Sequence, residues 1–233
     1  GWPEQIPGPP MLRIDSLRIG SLPPISLELA DGSCLAVEGP SGSGKSRLLR
    51  ALADLDPAEG YVFLDGAERR EMPAPVWRKL VRYAAAEPAW WTDTASPVFS
   101  AEPPARARAE KILSDLGLDA AVLDAPLAQL STGERQRLAL VRALAAEPRV
   151  LLLDEPTGAL DPVSAALAEE LIRYQVLAGR SVVLVSHDAA QVARLADVRL
   201  QLARPEPRLP PATAPGTTAS AAGSSAARNG GDK

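Results

Sequence analysis

Apolar and polar positions along this chain fall into short blocks whose period switches between two and about 3.6 residues. Leu12 and Ile14 open a strand-like stretch directly after Met11, and Ile25 to Ala30 alternates as a half-buried strand does. Asp31-Gly32 then supplies a turn, and Cys34 to Val37 forms a short apolar run that stops at a glycine-rich loop. These features predict a hairpin leading into the loop. Beyond it, Leu48, Leu49, Leu52 and Leu55 recur at helical spacing until Pro57, which predicts a helix ending there. Val150 to Leu153 and Ser181 to Val185 are unbroken β-branched or Leu runs, separated by a helical pattern from Ser164 to Leu177. Such runs suit parallel strands covered on both faces. Residues 89–130 differ, because Pro97, Pro103 and Pro104 break them up before an amphipathic helix with Ile112, Leu113 and Leu116 that ends at Gly117. They read as a small helical insertion. The expected fold is therefore α/β, with an antiparallel β portion and a helical insertion added to a parallel sheet.

Composition sharpens the boundaries of that domain. The 233 residues suit one main domain with an insertion. Pro is about twice as frequent as the usual ~5%, with 23 residues in all. Residues 1–10 contain Pro3, Pro7, Pro9 and Pro10 and no periodic pattern, so they read as a flexible lead, with Met11 as the place where translation could start. Residues 204–233 are Pro, Ala, Ser, Gly and Thr with almost no large apolar side chain, which predicts a disordered tail. The folded domain is expected over residues 11–203. No apolar run approaches the ~20 residues of a membrane-spanning helix. Cys34 is the single cysteine, which excludes an internal disulfide framework and any Cys-rich zinc site. The formal charge of -4 argues against a nucleic-acid binder working through global positive charge.

Candidate chemistry concentrates in three places. Gly39-Pro40-Ser41-Gly42-Ser43-Gly44-Lys45-Ser46 matches G-x-x-x-x-G-K-[ST] between a predicted strand and a predicted helix, the context that motif requires. Its glycines let backbone N–H groups turn inward on an anion, and the helix start adds positive potential. Lys45 is expected to reach the β- and γ-phosphates, Ser46 to offer its hydroxyl to Mg²⁺, and Arg47 to complete the phosphate-binding segment. Asp154 and Glu155 end a buried strand, where open α/β sheets place ligands. Asp154 is expected to hold Mg²⁺, and Glu155 to act as the base that polarises an attacking water. The lone histidine, His187, follows the run Ser181 to Val185, which brings it to the same sheet edge and into reach of the γ-phosphate.

Leu130-Ser131-Thr132-Gly133-Glu134 precedes a helical stretch from Arg135 to Ala146 with Leu138, Val141, Leu144 and Ala145 on one face, so a second anion-binding helix start is implied. Taken in order, the phosphate loop, this segment, the acidic pair, Ala159-Leu160-Asp161 and the histidine make residues 11–203 resemble the ATP-binding subunits of ABC transporters, with a P-loop NTPase (RecA-like) core. The resemblance implies two copies packed head to tail around two ATP molecules. Ser131 and Gly133 of one copy would then contact ATP held by the other, and Asp161 would lie at the seam. An N-cap role for Ser131 or Thr132 is compatible with that.

Three departures stand out. Where the family has an aromatic residue for the adenine, this chain offers Ile19 within Leu17-Arg18-Ile19-Gly20. Where it has a glutamine for the metal, this chain has Ala86, leaving Glu87 or a water to substitute. The signature reads STGE instead of SGGQ, which implies slower turnover. Trp90 and Trp91 fall where family members dock the membrane subunit, and packing inside the insertion fits them equally. The local text resembles ATPases of two-component exporters.

The resemblance implies an ATP hydrolase using ATP and Mg²⁺, partnered by a second copy of itself and by a separate integral membrane permease. It would sit in the cytoplasm on the inner face of the membrane. Alternatives are a soluble ABC ATPase without a transporter and a nucleotide-responsive subunit that hydrolyses weakly. A P-loop kinase or GTPase would share the phosphate loop but have no use for the Leu130–Glu134 segment.

Overall fold

A computed structural model describes residues 11–99 and 103–203; the expected lead at 1–10 and tail at 204–233 lie outside them. In chain order the elements are β1 (Leu12–Arg18), β2 (Ile25–Leu29), β3 (Cys34–Glu38), α1 (Lys45–Leu52), β4 (Glu59–Leu64), β5 (Ala67–Glu68), α2 (Ala74–Leu80) and β6 (Val81–Ala84). Then follow α3 (Ser96–Phe99), α4 (Pro103–Asp115), α5 (Thr132–Leu144), β7 (Val150–Asp154), α6 (Pro162–Leu177), β8 (Ser181–Val185), α7 (Ala189–Leu195) and β9 (Val198–Gln201).

The strands form two sheets. One is antiparallel in the order β2-β1-β4-β5; the other is parallel in the order β6-β7-β8-β3-β9. The hairpin expected from Ile25 to Val37 does not form. β2 pairs with β1, whereas β3 lies between β8 and β9, so the Asp31-Gly32 turn carries the chain from one sheet to the other. The physical reason lies in burial pattern. β2 alternates and fits a sheet with one wet face, while Cys34 to Val37 is buried throughout and requires cover on both faces.

The strand period of two divides the core. On β7, Val150 and Leu152 join a cluster with Leu48, Leu49 and Leu52 of α1 and Ile14 of β1, whereas Leu151 and Leu153 face a second cluster with Leu113, Leu138, Val141 and Ile172. β8 splits the same way, Val183 and Val185 against Val182 and Leu184. Truncating one of these leucines to Ala would cost about 2–5 kcal/mol.

Two helix ends depart from expectation. α1 stops at Leu52, and Leu55 is 42% exposed. Asp54 turns left-handed at φ 57° while the Leu55 N–H bonds back to the Arg50 carbonyl at 2.9 Å, closing the helix before Pro57 is reached. α4 begins at Pro103 itself, because a proline in the first turn forfeits no intrahelical bond.

Candidate functional site

Parallel strands deliver their C-terminal ends to one edge, and the order β7-β8-β3 sets three loops side by side there. The loop after β3 turns through Gly42 at φ 78° and Gly44 at φ 94°, conformations that a side chain would strain. Gly44 is the N-cap of α1, no side chain caps that helix, and no acidic residue lies in its first turn. Its N–H groups therefore remain available to an anion. Lys45 is 8% exposed, and its Nζ donates to the carbonyls of Gly39 at 2.8 Å and Pro40 at 3.1 Å. The Ser43 hydroxyl is buried without a hydrogen-bond partner, while Ser41, Gly42, Ser46 and Arg47 are exposed. An orphaned hydroxyl inside a glycine cradle beside an ammonium group fits a polyphosphate.

The nucleobase end differs from expectation. Ile19 is 1% exposed and belongs to the core, so it offers no face for stacking; the exposed residues of that turn are Arg18 and Gly20. The Arg47 guanidinium lies across Gly20, where an added Cβ would come 2.8 Å from Nη1.

At the end of β7, Asp154 is 4% exposed, and the Tyr83 hydroxyl of β6 donates to its Oδ2 at 3.0 Å. Burial, and then the Asp154 charge, push the Tyr83 phenol upward, so it remains a donor at any ordinary pH. Glu155 is left-handed at φ 49°, and its N–H donates to the Val185 carbonyl at 2.9 Å. Its carboxylate receives the His187 backbone N–H at 3.3 Å, and His187 Nε2 lies 3.2 Å from Oε1 in ion-pair range. That second approach lacks hydrogen-bond alignment, so Oε1 counts as unsatisfied. Burial raises the Glu155 pKa above the ordinary 4.5, opposed by the His187 backbone and ring and by Lys45. The electrostatic reach among Lys45, Asp154, Glu155 and His187 brings these four predicted residues together.

Among the described residues no group of three or more His, Cys, Asp or Glu could hold a metal alone. A hard cation here would need phosphate or water oxygens beside Asp154 and Ser46, which is the chemistry Mg²⁺ favours. Ala86 brings no ligand and Glu87 is exposed.

Ser131, Gly133 and Asp161 occupy a different place. Within the chain, no hydrogen bond or ion pair among the described residues joins them to loop residues 39–47. Ser131 caps α5, its Oγ accepting the Glu134 N–H at 3.2 Å while Glu134 Oε2 accepts from the Ser131 N–H and hydroxyl, each at 2.8 Å. Those bonds to Ser131 hold the Glu134 carboxyl below its ordinary pKa. Asp161 caps α6 through the N–H groups of Val163 and Ser164, both at 3.0 Å, and accepts the Ser164 hydroxyl at 2.6 Å.

Three polar residues carry more here than sequence reasoning assigned them: Tyr83, Glu134 and Gln136. Gln136 is 6% exposed and bonds the Glu155 carbonyl and the Ala159 N–H. Nothing in the sequence marks that role, since Gln136 lies off the helix face that Leu138, Val141, Leu144 and Ala145 define.

The two tryptophans divide. Trp90 packs against the second core cluster with the Arg142 guanidinium 4.5 Å from its ring centre, whereas Trp91 is 73% exposed. Burial, and the nearby charge of Arg82, lower the Arg142 pKa to about 10.

Comparison with known proteins places the chain in a family. A family model described as ABC transporter matches residues 22–158. Protein STAR1 of Oryza sativa subsp. japonica is 40% identical over 182 residues, covering 75% of this chain and 53% of that protein. ABC transporter I family member 17 of Arabidopsis thaliana is 38% identical over 182 residues, covering 75% of this chain and 69% of that protein. The chain thus spans between 53% and 69% of the length of these relatives. Among solved structures, a dimeric ATP-binding cassette in a post-hydrolysis state with ADP and Pi superposes with a TM-score of 0.71 at 28% identity, covering 82% of this chain and 94% of that one.

Proposed function

This chain belongs to the ABC transporter ATPase family, and we propose that it binds ATP with Mg²⁺ and hydrolyses it to drive transport through a separate membrane-spanning partner. The reading puts the transport path in a separate membrane-spanning chain and this one on the cytoplasmic face; among the described residues no helix is long and apolar enough to cross a membrane. The observation that carries the proposal is the half-buried Glu155 carboxylate, with His187 Nε2 3.2 Å from its Oε1 and with Asp154 and Lys45 within electrostatic reach.

In this reading the backbone of Gly39, Pro40, Ser41, Gly42, Ser43 and Gly44 and the start of α1, with Ser46 and Arg47, cradle the triphosphate. Lys45 exchanges its carbonyl contacts for the β- and γ-phosphate oxygens. Ser46 and Asp154 would hold Mg²⁺, which when bound neutralises charge on the phosphate oxygens. Tyr83 orients Asp154. Glu155 accepts a proton from the attacking water, and burial of its carboxyl raises its basicity for that task. The water oxygen bonds to the γ-phosphorus as the bond to the β–γ bridging oxygen breaks, releasing ADP and Pi. His187 contacts the γ-phosphate and steadies Glu155. A second copy packs head to tail, bringing its Ser131 and Gly133 to the same phosphate, with Asp161 at the seam.

The test pairs two measurements on the full chain, ATP turnover and nucleotide-dependent mass by light scattering. Wild type should hydrolyse ATP. Glu155→Gln should lose turnover by about 10²–10⁴-fold while retaining ATP binding and accumulating as a dimer. Unchanged turnover in Glu155→Gln would overturn the assignment of the base. A second reading, a nucleotide sensor with weak hydrolysis, draws support from the buried Ile19 and from Ala86; wild-type turnover near that of Glu155→Gln would favour it.

A further inference from the structure

α5 serves two ends. Its N-cap, Ser131, is the group that the proposed dimer would press on the neighbour's triphosphate. Five positions on, Gln136 points into the protein at 6% exposure. Its Nε2 donates to the Glu155 carbonyl at 2.7 Å, and its Oε1 accepts the Ala159 N–H at 2.9 Å. One partner is an obligate acceptor and the other an obligate donor, so the amide has a single satisfying orientation.

The residue it grips is held in an uncommon conformation. Glu155 is left-handed at φ 49°, which a non-glycine side chain keeps only where its surroundings enforce it. Its carbonyl also accepts the Gly158 N–H at 3.2 Å, so the turn after β7 closes on the same oxygen that Gln136 binds. A second contact runs in parallel: a Cβ added at Gly133, in the first turn of α5, would lie 3.3 Å from the Ala159 carbonyl oxygen. The turn ends at Asp161, the cap of α6. α5 therefore touches the Glu155–Asp161 turn through its first turn and through one buried amide.

We propose that Gln136 is a positioning residue that couples the N-terminus of α5 to the conformation of Glu155 in the same chain, so that engaging the neighbour's nucleotide sets the base for the chain's own. This rests on the dimeric reading above. Displacement of α5 when Ser131 meets a phosphate is transmitted through the amide to the backbone of Glu155, and each of two facing sites then reports its occupancy to the other.

Gln136→Met keeps the length of the side chain and removes both hydrogen bonds. Gln136→Glu keeps an acceptor, loses the donor, and sets an oxygen against the Glu155 carbonyl. Each is compared with wild type for kcat, ATP affinity by equilibrium binding, the Hill coefficient for ATP, and thermal unfolding. Each is also placed on a Glu155→Gln background for ATP-dependent dimer formation. Coupling predicts a kcat lower by about tenfold or more, ATP affinity within about twofold of wild type, dimers still formed, and a Hill coefficient reduced to about 1. A lowered melting temperature with kcat and Hill coefficient unchanged would overturn it, since that is the result of a merely structural amide. If Gln136→Met fails to fold, Gln136→Glu is measured in the same ways, and the same outcomes support or overturn the coupling. Failure of the Glu155→Gln chain itself to dimerise with ATP would overturn the dimer and the coupling together. Dimers with unaltered kinetics would overturn the coupling alone.

Discussion

In the proposed function the starts of α1 and α5 both meet phosphate, yet they are built in opposite ways. α1 has glycine at its cap, no side-chain cap bond and no acidic residue in its first turn. α5 has a serine cap, a closed capping box and Glu134 in its first turn. An uncapped helix start costs stability until an anion arrives, because its N–H groups lack intrahelical partners. A capped one is already satisfied and gains less from the anion. The contrast fits a division of labour in which α1 grips the nucleotide in its own chain and α5 meets a neighbour's nucleotide briefly.

The largest blow to that contrast would fall on α1. Lys45→Ala removes the buried ammonium group that backs the glycine cradle, and with it charge-assisted bonds worth about 1.5–3 kcal/mol each. ATP affinity measured by equilibrium binding, or turnover where binding survives, should fall by about 100-fold. The α5 capping box should be untouched, so dimer formation by any nucleotide-loaded fraction would persist. Affinity and turnover both near wild type would mean that α1 is not the gripping end.

Glu134→Gln sharpens the other half. A glutamine oxygen can still accept from the Ser131 N–H, so the box survives, while the negative charge beside the incoming triphosphate disappears. ATP-dependent dimerisation on the Glu155→Gln background should tighten by about two- to fivefold, the size of one screened charge at a helix end. Weaker dimerisation would show instead that the carboxylate itself organises the contact.

The same two helix starts show what could be read along the chain and what could not. The phosphate loop is contiguous, and its strand and helix flanks lie within a few residues, so local pattern sufficed for α1. The ends of β7 and β8 were legible because fully buried parallel strands are continuous apolar runs. The capping box at Ser131 is also local, S-x-x-E, and could have been read from that spacing alone. Tyr83 and Gln136 were not legible in their roles. Their partners lie 71 and 19 residues away, and only the sheet order and the packing of α5 bring them together. The hairpin expectation failed for the same reason: adjacency in sequence does not reveal which of two sheets a strand joins. Ile19 lies at the aligned family position, but its side chain was claimed by the core.

The smallest effect is a difference in acid response between the two ends. Glu134 has a folded pKa below its ordinary 4.5, chiefly through the Ser131 N–H and hydroxyl. A depressed carboxylate contributes stability that is present above the unfolded value and is lost as pH falls through the folded one. Thermal unfolding of wild type and Glu134→Gln, compared from pH 7 downward, should therefore show the wild type slightly ahead at neutral pH. The gap should shrink to nothing below pH 4.5, over a span of about 2 °C or less for so exposed a group. No matching carboxylate exists in the first turn of α1, so acid in this range should leave that helix start unchanged by any such mechanism. A gap that widens as pH falls would reverse the sign and remove the ionised capping box from the account of α5.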